Sequence, residues 1–238
     1  KLQMYMTLLW IMFLSGCQNT EEKEIVIIST NDIHGRIEQF SKLATFVKRI
    51  KEEHPNVILV DAGDRFTGNP YVDHAKEKGF PIISLMNDLG YEVGTLGNHE
   101  FDFGQKILRA RINDATFPII CANINSSRGE LDSIPPYHII EKDGIKLGFI
   151  SFVQTETDQI PSTNPERLKD ITFDHYLDKV EDYKPLKRQC DVLIGLTHLG
   201  VDKDSILATQ MPELDIIIGG HTHTLLSDKQ DSSCNTPV

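Results

Sequence analysis

Ile25-Val26-Ile27-Ile28-Ser29-Thr30-Asn31-Asp32-Ile33-His34-Gly35 joins a short apolar run to a polar segment that ends on glycine. The apolar run predicts a buried strand, and the polar segment marks where it stops. The same grammar recurs four times. Val57-Ile58-Leu59-Val60 runs into Asp61-Ala62-Gly63-Asp64, and a short strand at 92–95 leads into Gly97-Asn98-His99-Glu100. Val192-Leu193-Ile194-Gly195-Leu196 ends at Thr197-His198, and the run from Asp215 to Ile218 ends at Gly219-Gly220-His221-Thr222-His223.

Helical spacing fills the intervals. Leu43, Ala44, Phe46, Val47 and Ile50 share one side of a helix over 40–53, which His54-Pro55-Asn56 stops. Further helices are predicted through Ile82 to Leu89, closed by Gly90, and over 105–113 and 205–210. Another is predicted over 174–189, disturbed at Pro185. Residues 117–122 read as strand, 137–141 and 145–152 as a hairpin around Lys142-Asp143-Gly144, and the polar stretch 154–172 as a long surface loop. Strands alternating with helices predict α/β layers built on buried, mostly parallel strands.

In an open α/β sheet, ligand sites lie beyond the carboxyl ends of the strands. Asp32, His34, Asp64, Asn98, His198, His221 and His223 all fall there. Any one strand-end Asp is as often a helix cap or a turn residue. Seven such side chains from five strand ends are a different matter, because they suffice for two ions sharing one carboxylate. Carboxylate and amide oxygen mixed with imidazole nitrogen suits Zn, Mn or Fe better than Ca or Cu(I). His99 sits beside Asn98, where it can point at a bound anion, and Asp102 three residues on can orient it.

The chain has 238 residues, 39% hydrophobic and 25% charged, with net charge −11 and a pI near 5.2. Such acidity argues against binding polymeric nucleic acid, which needs a basic face. It leaves phosphate esters open as substrates, since bound divalent cations reverse the sign locally. At the amino end, Lys1 precedes the apolar run Leu8 to Leu14, which is too short to span a bilayer comfortably. Leu14-Ser15-Gly16-Cys17 resembles the lipobox of bacterial lipoproteins, with an ordinary cleaved signal or an uncleaved anchor as the alternatives. The expected organisation is a signal segment over 1–17 lipidated at Cys17, a polar tether over 18–24, and one domain over 25–238. The expected location is periplasmic or cell-surface, anchored to a bacterial membrane. Cys121 and Cys190 flank apolar runs and read as buried thiols, Cys234 lies in a polar tail, and no pair has zinc-knuckle or redox spacing. The chain does not begin with Met and stops soon after its last motif, as a piece of a longer product would.

Taken in order, Asn31-Asp32-Ile33-His34-Gly35-Arg36, Asp61-Ala62-Gly63-Asp64, Gly97-Asn98-His99-Glu100-Phe101-Asp102, Thr197-His198 and Gly219-Gly220-His221-Thr222-His223 resemble the calcineurin-like metallophosphoesterase superfamily. Within it, the likeness is to the metal-binding N-terminal domain of bacterial 5′-nucleotidases, UDP-sugar hydrolases and 2′,3′-cyclic nucleotide phosphodiesterases. It covers roughly residues 25–225, and its specificity lies in the whole set, since Gly-Asp or His-Thr-His alone would be weak. The resemblance implies a layered α/β/β/α sandwich with the metal site at the carboxyl ends of strands. It implies that Asp32, His34, Asp64 and His223 hold one ion and Asp64, Asn98, His198 and His221 the other. Asn98 and His99 would meet the substrate phosphate, and His99 with Asp102 would supply the acid. The implied reaction is attack of a metal-activated hydroxide on a nucleotide phosphate monoester. The alternatives are a cyclic phosphodiesterase, a UDP-sugar hydrolase, or a surface lipoprotein that binds metal without catalysis. The family's nucleotidases usually carry a C-terminal domain for the nucleoside, so the alternatives are specificity from a separate subunit, a stand-alone phosphatase, or a longer product of which this sequence is a piece.

Overall fold

The computed structural model describes residues 22–226. The expected signal segment with Cys17, most of the tether, and Cys234 lie outside them. Along the chain, β1 (Val26–Thr30) is followed by α1 (Phe40–Glu53), β2 (Val57–Asp61), the single turn α2 (Pro70–Asp73), α3 (Phe80–Leu89), β3 (Val93–Thr95), α4 (Gln105–Asp114), β4 (Ile119–Ile120) and β5 (Ile124–Asn125). The hairpin of β6 (Tyr137–Lys142) and β7 (Ile145–Ile150) then leads through β8 (Thr172–Phe173), α5 (Tyr176–Tyr183), β9 (Val192–Leu196) and α6 (Val201–Gln210) to β10 (Ile216–Ile218).

Two four-stranded sheets result. The first has the order β1-β2-β3-β4 and is parallel throughout. The second has the order β10-β9-β7-β6, antiparallel only at the hairpin. Strand β2 shows why its apolar run does not alternate with polar residues: all five residues are buried. Ile58 and Val60 point between the sheets, where they join Val93 and Ile120 against Leu147, Phe149, Ile194 and Leu196. Leu59 points the other way and packs with Val47 of α1, Ile82 and Met86 of α3, and Leu108 of α4. On the far side of the second sheet, Ile150, Leu193 and Ile217 pack with Val180 of α5 and Leu207 and Ala208 of α6. The layers therefore run α/β/β/α, as expected. Burial of each such aliphatic stabilises the fold by about 1.5–3 kcal/mol, so sandwiching strands between two apolar faces nearly doubles what each strand contributes.

Several boundaries differ from the sequence reading. The helix expected over 174–189 is α-helical only to Tyr183 and continues as 3-10 turns over Lys184–Gln189, because Pro185 cannot donate the next helical hydrogen bond. Helix α6 starts at Val201, earlier than expected, since Asp202 and Asp204 in its first turn hide the apolar face. The stretch 154–172 is more than a surface loop. It carries a 3-10 turn at Pro165–Leu168, buries Leu168 and Ile171 in the first core, and delivers β8 to an antiparallel pairing with β5. Two-residue strands are too short for any periodicity to announce them. Cys121 and Cys190 are buried free thiols, as expected. Among the described residues no helix is long and apolar enough to cross a membrane.

Candidate metal centre

The loops after the strands do not diverge; backbone hydrogen bonds carry the pairing past the ends of the sheets. Asp32 N, His34 N and Gly35 N donate to the carbonyls of Gly63, Asp64 and Arg65 at 3.0, 3.0 and 2.8 Å. Val153 and His198 form a parallel bridge beyond β7 and β9, and Thr197 N donates to Ile218 O at 2.9 Å. All five motif segments are thus drawn to one end of the two sheets.

A buried ion network fixes two of these loops. Glu100, fully buried, accepts from Asp64 N (2.9 Å), Arg65 N (2.7 Å) and Gly97 N (2.6 Å). The Arg65 side chain, also buried, pairs with Asp61 at 3.0 Å and Glu100 at 3.3 Å, and donates to the Thr95 carbonyl. Burial pushes the Asp61 carboxyl up to about 7, with the Arg65 guanidinium pulling the other way. A side chain on Gly97 would run into the Asp64 carboxylate, and one on Gly220 would come within 2.8 Å of Ala62 O and 3.2 Å of Asp32 Oδ2. These two glycines are therefore matters of space.

The seven expected ligands assemble into two adjacent groups. Ligand atoms of Asp32, His34 and His223 lie within 4.8 Å of one another, as do those of Asp64, His198 and His221. A third grouping, His34, Asp64 and His99, overlaps both. Asn98 belongs beside the second group, its Oδ1 lying 3.1 Å from His221 Nδ1. Five of the seven stand at positive φ: Asp32 (48°), His34 (47°), Asp64 (57°), His221 (85°) and His223 (52°). Left-handed backbone is uncommon for residues with a side chain and costs of order 1–3 kcal/mol where it is strained. Its concentration here marks the points where the chain turns sharply past the strand ends to bring these side chains together.

The second ring nitrogens are already occupied. His198 Nδ1 donates to Ala62 O at 2.7 Å, and His34 Nδ1 donates to Thr67 O at 3.0 Å. Such contacts turn each Nε2 toward the centre, where its lone pair is available to an ion that displaces the proton. His198 Nε2 is buried and has no aligned hydrogen-bond partner, although Asp64 Oδ2 is 3.0 Å and Asp32 Oδ1 3.9 Å away. His34 Nε2 and His223 Nε2 face each other at 3.2 Å. Two imidazole nitrogens this close share either a proton or a cation, and oxygen with imidazole nitrogen fits a borderline divalent ion.

The charges agree. Burial raises the Asp64 carboxyl, but His198 and the His99 N–H outweigh it and hold it down to about 2. Burial lowers the His198 imidazole, but Asp64, the Ala62 carbonyl and Asp32 draw it up to about 9. His221 is lowered, first by burial and then by the charge of His198. Asp32 accepts from His221 N at 3.0 Å, and Asp64 accepts from His99 N at 2.8 Å, so each carboxylate also ties two loops together.

His99 and Asp102 pair as expected. Asp102 Oδ2 accepts from His99 Nδ1 at 2.6 Å, and the His99 side chain is 36% exposed, leaving its far nitrogen accessible. The hydrogen bond to Asp102 raises the His99 imidazole, burial opposing it. Burial raises the Asp102 carboxyl, but hydrogen bonds from His99, Thr67 and Thr163 hold it below the carboxylate range. Of these three, Thr67 is the loosest: its buried hydroxyl is close to the carboxylate but is not aligned as a donor. Sequence reasoning missed Ser162 and Thr163, which lie in the stretch read as a surface loop and reach Asn98 and Asp102. It also missed Asp61, Arg65 and Glu100, whose only signal was their position within a motif segment or, for Arg65, directly after one. Arg36 is exposed.

Residues 25–225 match the sequence profile of the family described as calcineurin-like phosphoesterase. The chain is 32% identical over 233 residues to a snake venom 5′-nucleotidase from Naja atra, covering 85% of this chain and 42% of that protein. It is 32% identical over 244 residues to the trifunctional nucleotide phosphoesterase protein YfkN of Bacillus subtilis, covering 84% of this chain and 16% of that protein. Among solved structures, the 5′-nucleotidase precursor from Thermus thermophilus superposes with a TM-score of 0.77 at 27% identity, over 85% of this chain and 42% of that one. The chain thus spans less than half the length of these relatives.

Proposed function

The chain belongs to the calcineurin-like phosphoesterase family, and we propose that it hydrolyses phosphate monoesters of nucleotides at a centre of two divalent ions. The observation that carries this reading is the pair of ligand groups, Asp32–His34–His223 and Asp64–His198–His221, with the His99–Asp102 pair beside them. Asp32, His34, Asp64 and His223 would hold one ion, and Asp64, Asn98, His198 and His221 the other. When bound, such ions neutralise phosphate charge and make water nucleophilic near neutral pH.

The remaining work falls to side chains of this chain. A sugar alkoxide is a poor leaving group, so the P–O bond breaks more readily if that oxygen receives a proton. His99 is the donor, from the nitrogen that does not hold Asp102, and its raised basicity favours the charged form. Asp102 accepts the opposite N–H, which fixes the ring and stabilises the imidazolium. Asn98 and His99 meet the phosphate oxygens from the β3 loop. A protein that only stored metal would have no use for the His99–Asp102 pair.

The test is turnover of 5′-AMP, a 2′,3′-cyclic nucleotide, a UDP-sugar and an aryl phosphate by the Mn- and Zn-loaded protein, alongside its metal content. Two ions per chain, turnover abolished by chelator and a metal-depleted, inactive Asp64→Ala protein are expected. Metal uptake without turnover of any ester would leave the binding-only reading in its place.

The apolar run ending at Cys17 supports export and lipid anchoring of the same enzyme. Incorporation of labelled palmitate into the wild type but not into a Cys17→Ala variant is the expected result. Equal labelling of both would remove the anchor.

A further inference from the structure

The segment 161–169 lies along the stretch that carries Asn98 and Asp102, and three side chains hold it there in order. Asn98 Nδ2 donates to the Ser162 carbonyl at 3.0 Å. Thr163 Oγ1 donates to Asp102 Oδ1 at 2.9 Å. Gln105 Nε2 donates to the carbonyls of Arg167 and Lys169 at 3.2 and 2.7 Å. Asn98 and Asp102 flank the 3-10 turn His99–Phe101, and Gln105 opens α4 after the backbone breaks at Gly104, so the three contacts come from successive pieces of one stretch. The segment is also pinned from within. Leu168 is buried, Asn164 caps the turn at Pro165–Leu168, and Thr163 N donates to the Pro161 carbonyl at 2.7 Å. Backbone held this firmly aims a hydroxyl at little further entropic cost.

The two oxygens of Asp102 have different partners. Oδ2 accepts from His99 Nδ1, and Oδ1 accepts from Thr163. The terminal torsion of an aspartate is broad, and the nearby Thr67 hydroxyl is not aligned to it, so without Thr163 the one aligned donor, His99, leaves the carboxylate plane free to swing. A swinging carboxylate would carry the imidazole with it, and the leaving oxygen would meet a misplaced proton donor.

We propose that Thr163 is a positioning residue for the His99–Asp102 pair, and that its segment aligns this pair with Asn98 through the Ser162 carbonyl. The proposal rests on reading His99 as the proton donor. Thr163 supplies no metal ligand and acts only through Asp102. One placement of one segment then sets both the acid and a ligand of the neighbouring centre.

The experiment uses Thr163→Val, which keeps the shape and removes the hydroxyl, with Thr163→Ser as the rescue. The first readout needs no metal: the proton NMR resonance of His99 Nδ1–H in the metal-free protein, assigned by its loss in His99→Ala. Thr163→Val should shift or broaden it, and Thr163→Ser should restore it. The second readout is turnover by the Mn-loaded protein. Thr163→Val should slow 5′-AMP about tenfold, a fraction of the ~10²–10⁴ that general acid help supplies, and slow p-nitrophenyl phosphate less than about twofold. Gln105→Leu, at the far end of the segment, should move the resonance in the same direction. The proposal is overturned if Thr163→Val leaves the resonance unmoved, slows both esters equally, or is not rescued by serine. Should no ester be turned over by the wild type while the resonance still follows Thr163, the enzymatic reading fails and the positioning role stands.

Discussion

Asp64 is in contact with every part of the site. Its Oδ2 lies 3.0 Å from His198 Nε2 and 4.0 Å from His34 Nε2, so it serves both ligand groups. Its Oδ1 accepts from the backbone of His99, and its own N–H donates to Glu100 at 2.9 Å. A residue bound on all sides cannot be removed cleanly, and Asp64→Ala should therefore lose metal, loop geometry and activity together. His99 allows a finer separation. Its backbone is hydrogen-bonded to Asp64, while its ring holds Asp102, packs edge-on against the His34 ring and keeps one side exposed. His99→Ala should retain metal and the fold. It should slow alkyl phosphates by about 10²–10⁴-fold, the usual worth of a positioned acid, and aryl phosphates with acidic leaving groups far less. A series of esters of graded leaving-group acidity measures this. A uniform loss across the series would show that the ring acts on the phosphate and gives no proton to the leaving oxygen.

Elements were legible where residues repeat a pattern long enough to read. Helix α1 spans 40–53, as its apolar spacing predicts, and β2 is the buried strand that an unbroken apolar run implies. The order of motif segments along the chain likewise predicts which strand ends meet, because parallel strands all present their carboxyl ends on one side. The illegible parts are those whose cause is a contact made elsewhere. No local pattern marks β5 and β8, two residues each, which exist because Leu168, Ile171 and Phe173 are drawn into the first core. The left-handed backbone at Asp32, His34, Asp64, His221 and His223 is also silent, since none of these is the glycine that usually signals it. Thr67 at φ 62° is the extreme case, a β-branched residue in that region, held there while its carbonyl orients His34. In the same way nothing in the sequence assigns Arg65 or Glu100 a role, although both are buried in the network that shapes the β2 and β3 loops.

At the scale of the whole molecule, two buried carboxyls outside the ligand set tie stability to pH. Burial pushes Asp61 up to about 7 against the pull of Arg65, and pushes Asp204 up to about 7 against the hydrogen bond from Thr197 Oγ1 at 2.6 Å. In the unfolded chain both titrate near the ordinary aspartate value of about 3.9. Between about pH 4 and pH 7 the folded state therefore holds protons that the unfolded state has released, and stability falls as pH rises. Each carboxyl contributes at most about 1.4 kcal/mol per pH unit across that window. The ligands act outside most of it. Asp64, held down to about 2, adds stability that is lost only as pH falls below its unfolded value. His198, drawn up to about 9, adds stability that is lost as pH climbs from its unfolded value toward 9. Asp204 can be tested alone, because it lies on α6 at the back of the second sheet's loops and an amide keeps an oxygen for Thr197. Urea unfolding of the metal-free protein at half-unit steps from pH 4.5 to 6.5 should give a downward slope. Asp204→Asn should flatten that slope by roughly one carboxyl's share. Parallel slopes for the two proteins would mean that Asp204 is ionised in the fold, with Thr197 and the nearby positive charge of His198 outweighing its burial.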